Sequence, residues 1–514
     1  MKTLIRSVLP LITFLCLTVV GPEIRAVVPA PDGGYAGGNT AEGQKALQSL
    51  TTGGFNAAVG YFSLFANTAG SFNTAVGAGA LDLNTADNNT ATGAAALLLN
   101  TTGSNNTANG VDALVFNDTG VANTATGAFA LFSNTVGNFN TASGFFALRD
   151  NTTGVGNTAN GASALQHNTT GGLNTAFGGN ALTSNTTGTE NTATGANALF
   201  SSTTGNNNVA TGSQALSANT EGVANTATGF HALLSNTTAS DNTAYGASSL
   251  SSNITGDHNT AIGQSSLYSN TTGVDNTALG SLTLYHNTDG DQNTAVGFDA
   301  LDLNTTGFGN TAVGDGALNK NTTGITNTAL GIFAGVGVTT ATNVIAIGVN
   351  GANVDNSCYI GNIWQQPGGS QAVYVNADGK LGAQVSSRRF KDEIRPMEQA
   401  SEVIYRLKPV RFRYKPEIET SRPLGFGLIA EEVEEVSPDL VACDKEGKPY
   451  SVRYDQINAM LLNEFLKEHH KVQELESGMA ALTAQLKEQA AKIQKVSAQI
   501  EMSESGSKVV VNRP

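Results

Sequence analysis

Asn123-Thr124-Ala125-Thr126-Gly127, followed by Ala130-Leu131 and Asn134-Thr135, is the most telling segment of this 514-residue chain. Its echo arrives 17 residues later as Asn140-Thr141-Ala142-Ser143-Gly144, then Ala147-Leu148 and Asn151-Thr152. Followed in both directions, the leading asparagine recurs at 56, 73, 89 and 106 and onward to 327 and 343. That makes 18 copies with two steps of 16 residues. So regular a period marks a solenoid or an array. Each unit carries two short pieces with inward-pointing small or aliphatic side chains, Thr-Ala-x-Gly and Ala-Leu. Between them lie Asn-Thr-Thr-Gly turns, where glycine and asparagine accept a positive φ cheaply. Seventeen residues bury no core alone, but stacked coils do, and asparagines at equal positions ladder their amides from coil to coil. At about 4.8 Å per coil the array makes a rod of roughly 85 Å. Alanine and glycine inside demand a thin cross-section, so three chains are expected to share the core.

The repeats resemble the heads of trimeric adhesins, the YadA-like parallel β-roll, in which a Gly-x-x-Ala step recurs with Asn-x-Ala strands. That resemblance implies a trimer, and a single-chain β-helix is the alternative. The Asn-Thr-Thr triplets match the N-glycosylation acceptor, but their periodic placement favours a turn-and-ladder role. Asp289, Asp291, Asp299 and Asp302 lack the nonapeptide pattern of a calcium-binding solenoid and read as solvated surface acids. His167, His231, His258 and His286 sit at varied places in the coils and read as surface substitutions.

Charge divides the chain. Twenty of its 27 basic residues lie from Ser386 onward, and only Lys45, Arg149, Lys320 and Lys380 lie between Val27 and Val385. A net charge of −14 argues against nucleic acid as a partner. Lys2 and Arg6 precede an apolar run from Val8 to Val20, which reads as a secretory signal over residues 1–26 and predicts a secreted or cell-surface protein. No later run is long enough to span a membrane. Beyond the signal remain Cys358 and Cys443, which form no disulfide framework and have no metal-ligand spacing. No metal and no cofactor are expected.

The organisation that follows is a lead-in over 27–55, the repeats over 56–350 and a connector over 351–385 with a hairpin of Val373-Tyr374-Val375 and Lys380-Leu381-Gly382 around Asn376-Ala377-Asp378-Gly379. A small α+β domain covers 386–470, a coiled coil 471–502 and a tail 503–514. The fold class is thus mainly β, a parallel β-roll or β-solenoid, with an α+β foot. The coiled-coil seam is Val472, Leu475, Met479, Leu482, Leu486, Gln489, Ile493, Val496 and Ile500, a clean 3-4 spacing over four heptads. Gln489 is a polar seam residue that sets register or oligomer state, and Gly478 weakens the helix nearby. A helix packed on its own domain is the plainer alternative.

Between the hairpin and the helix stand Ser386-Ser387-Arg388-Arg389-Phe390-Lys391, Gly427-Leu428-Ile429-Ala430-Glu431-Glu432-Val433, Pro438-Asp439-Leu440-Val441 and Val452-Arg453-Tyr454-Asp455. This ordered set, over about 385–476, resembles the C-terminal intramolecular chaperone of the endosialidase-type phage tailspikes, a self-cleaving serine peptidase. The family signature Ser-Asp-x-Arg-x-Lys implies Ser386 as nucleophile, Arg389 as its supporting arginine and Lys391 as catalytic lysine. It further implies autocatalytic cleavage between Val385 and Ser386. Ser387 stands where the family has aspartate and offers a rival nucleophile, and Glu431 stands where glutamine is frequent. On chemistry alone, a serine hydroxyl needs a base, and a lysine serves when burial or nearby positive charge, such as Arg388 and Arg389, favours its neutral form.

The expected function is therefore an exported trimeric fibre, adhesin-like, whose foot assembles three copies of the chain and is then cut off. A cell-surface or glycan ligand is expected for the rod. The alternative is a structural fibre whose foot stays attached. Hydrolysis of an external polysaccharide is the weakest reading, because the array repeats no acid pair with aromatic neighbours and Trp364, the only tryptophan, lies outside it.

Overall fold

The computed structural model describes residues 35–363, 373–375, 381–383, 386–419, 421–444 and 446–505. The expected signal segment, Trp364, the hairpin's turn and Val385 lie outside the described residues. The chain divides into two units, residues 1–365 and 366–514.

The first unit is a parallel β-solenoid. Twenty three-residue strands, β1 (Thr40–Glu42) to β20 (Cys358–Ile360), pair each with the next in one sheet. The pairing is rung on rung, with Ala125 of β6 (Thr124–Thr126) opposite Ala142 of β7 (Thr141–Ser143). The array exceeds 56–350 at both ends: β1 precedes it with its own ladder residue, Asn39, and β20 follows at a 13-residue step after β19 (Ile345–Ile347). Only one of the two expected 16-residue steps belongs to the coil. Ile345 pairs with Thr328, and Val344 rather than Asn343 occupies the ladder position opposite Asn327.

The coil is too short for a conventional corner, and it turns by placing every second residue of one segment in the left-handed region. Gly127, Phe129 and Leu131 have φ of 125°, 59° and 51°. A non-glycine residue there costs about 1–2 kcal/mol. The alternation aims every second amide at a neighbouring coil: Phe129 N donates to Val111 O at 3.0 Å, Leu131 N to Ala147 O at 3.0 Å and Ser133 N to Arg149 O at 2.9 Å. It also drives Leu131 inward, where complete burial of a leucine contributes about 1.5–3 kcal/mol and offsets the strain.

The expectation of a core shared by three chains does not hold. Ala125, Ala130 and Leu131, and their counterparts along the rod, are wholly buried within one chain. One leucine per coil, with alanines around it, fills so thin a section, and the alternating backbone supplies the fourth wall. The glycine of the Asn-Thr-Thr-Gly turn and of its variant Asn134-Thr135-Val136-Gly137 also has a different purpose from the one expected, since Gly137 has no positive φ. Instead, a Cβ there would lie 2.4 Å from Asn134 Oδ1 and 2.5 Å from Gly154 O of the next coil.

Two asparagine ladders run along the solenoid, one from Asn39 to Asn327 and one from Asn84 to Asn321 with a break at Ser202. In one, Asn123 N and Nδ2 both reach Asn106 Oδ1, at 2.9 and 3.2 Å. In the other, Asn134 Nδ2 donates to Asn117 Oδ1 at 2.7 Å. Both ladders meet on one carbonyl, Gly137 O, which accepts from Asn123 Nδ2 at 2.8 Å and Asn134 Nδ2 at 3.0 Å. The Asn-Thr-Thr asparagines such as Asn151 and Asn168 are wholly buried with their amides donated, which closes them to glycosylation in the folded coil.

The second unit is small and mixed. It holds three antiparallel pairs: β21 (Val373–Val375) with β22 (Leu381–Ala383), β23 (Val410–Phe412) with β24 (Gly425–Gly427), and β25 (Val441–Cys443) with β26 (Pro449–Val452). A 3-10 helix Glu398–Arg406 and an α-helix Ala430–Val436 accompany them, and one α-helix, Tyr454–Ser505, closes the chain. At 52 residues that helix is about 78 Å long. It contains the expected seam and runs past 502, the expected end of the coiled coil. The core is only Val433, Leu440, Val441, Val452 and Ile457, with Leu407, Leu428 and Met460 against it. Among the described residues no helix is long and apolar enough to cross a membrane.

Candidate functional site

Ser386 opens the described part of the foot. Ser387 caps a single 3-10 turn, Arg388–Phe390, in which Phe390 N donates to Ser387 O at 2.9 Å and Lys391 N to Arg388 O at 3.1 Å. That turn folds the chain back so that Lys391 Nζ donates to Ser386 Oγ at 3.1 Å. The pair implied by the resemblance thus stands within hydrogen-bond reach. Val385, whose carbonyl the serine would attack, lies outside the described residues. Arg389 stacks its guanidinium on the Phe390 ring at 4.6 Å. The whole segment from Ser386 to Pro396 is exposed in the single chain. Ser387 makes no side-chain capping bond.

The motifs that follow take up structural positions. Gly427 ends β24 at a point where a Cβ would lie 2.7 Å from Tyr454 Oη. That same hydroxyl accepts from Leu428 N at 2.9 Å, so the Gly-Leu-Ile and Arg-Tyr-Asp motifs meet. Val433 turns inward from the helix Ala430–Val436. Glu431 stays exposed in its first turn, where a carboxylate suits the helix dipole.

A polar cluster that no local motif announces fastens the 3-10 helix to the long helix. The buried Glu464 carboxylate accepts from Lys467 Nζ at 2.7 Å, from Ser401 Oγ, and from Tyr405 Oη at 2.9 Å. Asn463 Nδ2 donates to Ser401 Oγ at 2.6 Å and to Glu398 O at 3.1 Å. The bonds from Lys467 and then Ser401 hold the Glu464 carboxyl below its ordinary value. Lys467 is an i,i+3 neighbour of Glu464, but Ser401 and Tyr405 lie some sixty residues from it, so periodicity and spacing carry no trace of those contacts.

Along the long helix the seam is exposed among the described residues. Val472, Leu475, Met479, Leu482, Leu486, Ile493, Val496 and Ile500 are all exposed, Met479 at 67% and Leu486 at 65%. Gln489 lies on the same row. Leu461 and Phe465 carry the 3-4 spacing upstream and are also exposed.

Elsewhere the sequence candidates remain separate. Asp291 Oδ1 accepts from Val274 N at 2.8 Å, Asp289 bonds its neighbour Thr288, and Asp302 faces His286. Among the described residues no group of three or more His, Cys, Asp or Glu side chains is arranged to hold a metal ion. His167 and His258 stand beside Asp150 and Asp241 of the preceding coil, and His231 beside Gln214. Cys358 and Cys443 are free and exposed.

Residues 386–442 match the family model described as the chaperone of endosialidase. The match begins on Ser386. No curated protein and no solved structure matches the chain.

Proposed function

We propose that this protein is an exported fibre whose foot draws three copies together in register and is then released by cutting itself off before Ser386. The observation that carries the reading is the family match that starts on Ser386, on a segment whose Lys391 amine reaches the Ser386 hydroxyl. The exposed seam of the long helix supports the three-copy foot, because eight large apolar side chains in one row need partners. Register matters for this rod. Twenty near-identical rungs permit many wrong alignments, and a parallel array forms its non-local contacts slowly.

The cut proceeds in two balanced steps. Neutral Lys391 takes the proton from Ser386 Oγ, which attacks the Val385 carbonyl carbon. The Val385–Ser386 amide gives way to an ester, and the departing Ser386 nitrogen takes up the proton as a free amine. Water then opens the ester to a Val385 carboxylate and the restored Ser386 hydroxyl. A lysine acts as base only in its neutral form, which exclusion of water favours. In the single chain the segment is exposed, so packing by the other copies is what arms the pair. Release of the foot then leaves the fibre without a route back, a kinetic rather than equilibrium stability. The charged start of the chain and the apolar run after it support export, and the rod is left to bind a cell-surface or glycan ligand.

The test is intact mass of chain beginning at Val27, beside Ser386→Ala and Lys391→Ala versions. Two wild-type pieces joining at Val385-Ser386 and uncut variants are expected. A wild-type chain that is folded, trimeric and uncut overturns the peptidase. Ser387 in the family's aspartate position is the observation that favours this second outcome, a fibre with a permanent foot.

A further inference from the structure

The outer face of the solenoid sheet changes character after β12 (Thr226–Thr228), with a separate pair of apolar rungs, Val59 and Val76, near the start. In β1 to β19 the middle residue is alanine, and in β20 it is Tyr359. In the rod the middle residue points inward and the first and third point out, as the burial of β6 and β14 (Thr260–Ile262) illustrates. From β4 (Thr90–Thr92) to β12 (Thr226–Thr228) the third residue is threonine, serine or asparagine, apart from Phe177. From β13 (Thr243–Tyr245) to β20 it is always large and apolar, from Tyr245 through Ile262, Leu279 and Leu330 to Ile347 and Ile360. Six of the eight are exposed, Tyr245 at 59% and Leu330 at 50%, and Val296 and Val313 between them are half-buried. The first position of these strands is threonine up to β18 (Thr328–Leu330), then Ile345 and Cys358, so neither column holds a charge. Near the C-terminal end Ile332, at 71% exposure, and Phe333 widen the patch, and Asp315 stands one rung before Ile332 at its edge.

We infer that this stripe is where copies of the solenoid lie side by side, parallel and rung against rung, over its C-terminal half only. The inference rests on the three-copy foot proposed above and names the surface of the rod that joins it. A second copy of the chain is the occupant that fits, for three reasons. Rungs at a constant step are matched throughout only by a partner with the same step, and symmetry about an axis along the rod sets each rung at the height of its twin. Chains carrying −14 each repel, and the two outward columns of these strands carry no charge to oppose contact. The stripe also runs to the last coil before the unit whose helix exposes its own seam.

Its size says what it does. Seven steps of about 4.8 Å, with a three-residue strand about 10 Å wide, give roughly 340 Å². That is a patch large enough to mark an interaction site, yet less than the roughly 800 Å² per partner of a self-sufficient interface. The stripe therefore zips up after the foot has brought the copies together and does not assemble them unaided. The polar coils from β4 to β12 remain as separate arms.

The experiment uses chain from Val27 with Cys358→Ser and Cys443→Ser, carrying one new cysteine at Leu279→Cys or at Thr126→Cys, treated with a short bis-maleimide. Sedimentation gives the oligomeric state of each variant, and amide exchange over the asparagine ladders reports that the coils are intact. The expected result is a trimer in which Leu279→Cys links chain to chain in most molecules and Thr126→Cys does not. Adding Ile262→Lys to Leu279→Cys should cut the linking at least tenfold while the ladders stay protected. A trimer that fails to link at Leu279 leaves the stripe to some other partner and overturns the assignment while the foot survives. Equal linking at both positions overturns the restriction to the C-terminal half. A folded, monomeric wild-type chain overturns both the stripe and the foot.

Discussion

Ser202 is a natural break in an asparagine ladder, and repairing it measures what the ladder contributes. Every neighbouring rung has asparagine at this position: Asn168 and Asn185 before it, Asn219 and Asn236 after it. At the break, Asn185 Oδ1 and Ser202 Oγ are buried without a hydrogen-bond partner among the described residues. Asn219 Nδ2 retains only Gly222 O, at 3.1 Å. At an intact rung, by contrast, Asn151 Nδ2 reaches Asn134 Oδ1 at 2.8 Å and Gly154 O at 3.1 Å, and Asn151 Oδ1 accepts from Asn168 Nδ2 at 2.7 Å. Ser202→Asn restores all three bonds. Relieving a buried orphan acceptor is worth about 1–3 kcal/mol and each of the two further bonds about 0.5–1.5 kcal/mol, so the gain is about 2–6 kcal/mol. Asn151→Ser creates the same defect elsewhere and should lose as much. Stability in a stacked array is a sum of nearest-neighbour terms, so the effect is local, and a whole-chain melting temperature dilutes it. Native-state hydrogen exchange resolves it. At about 1.36 kcal/mol per factor of ten, protection of amides in the coils around residue 202 should rise roughly 30- to 26,000-fold, with distant coils unchanged. Asn151→Ser should lower protection around residue 151 by a similar factor. If both variants exchange like the parent, the amides merely solvate one another and the account of the ladder is wrong.

Gly137→Ala should destabilise its coil by about 1–3 kcal/mol, because the new Cβ meets a ladder oxygen and the next coil's carbonyl. Gly179→Ala, where a Cβ meets nothing within 4 Å, should be neutral or stabilising by up to about 1 kcal/mol; urea unfolding followed by exchange separates the two. Burial pushes the Asp82 carboxyl up to about 6, so the folded coil favours its neutral form. Protection there should fall as pH rises from the ordinary carboxyl value through about 6, and Asp82→Asn should remove the pH dependence, as exchange at pH 5 and 7.5 will report. Glu464 has the opposite sign. Its carboxyl is held below the ordinary value, so docking of the 3-10 helix is fully supported above that value and lost as pH falls through the lowered one. Glu464→Gln should loosen residues 398–406 at neutral pH and abolish that acid dependence, read by amide exchange over the same segment.

Much of this protein is written locally. A 17-residue coil repeats its chemistry in every copy, so the period, the strand at Thr-Ala-x and the ladder asparagines can be read from spacing alone. The Ser386 and Lys391 pair is legible only through the resemblance of its six-residue stretch to a family signature, since on its own chemistry the stretch reads as a basic loop. The heptad row from Val472 to Ile500 needs nothing beyond its own helix. Tertiary structure decided whatever depends on closure in three dimensions. Leu131 and Phe129 enter the left-handed region because the coil must turn within so few residues, and that turn lets one chain bury its own core. Gly137 is glycine because two ladders and a neighbouring carbonyl converge on it, a crowding that φ preference does not forecast. Glu464 finds Ser401 and Tyr405 only once the long helix docks. The apolar stripe from Tyr245 to Ile360 becomes a surface only when stacking brings side chains 17 residues apart to within one strand spacing.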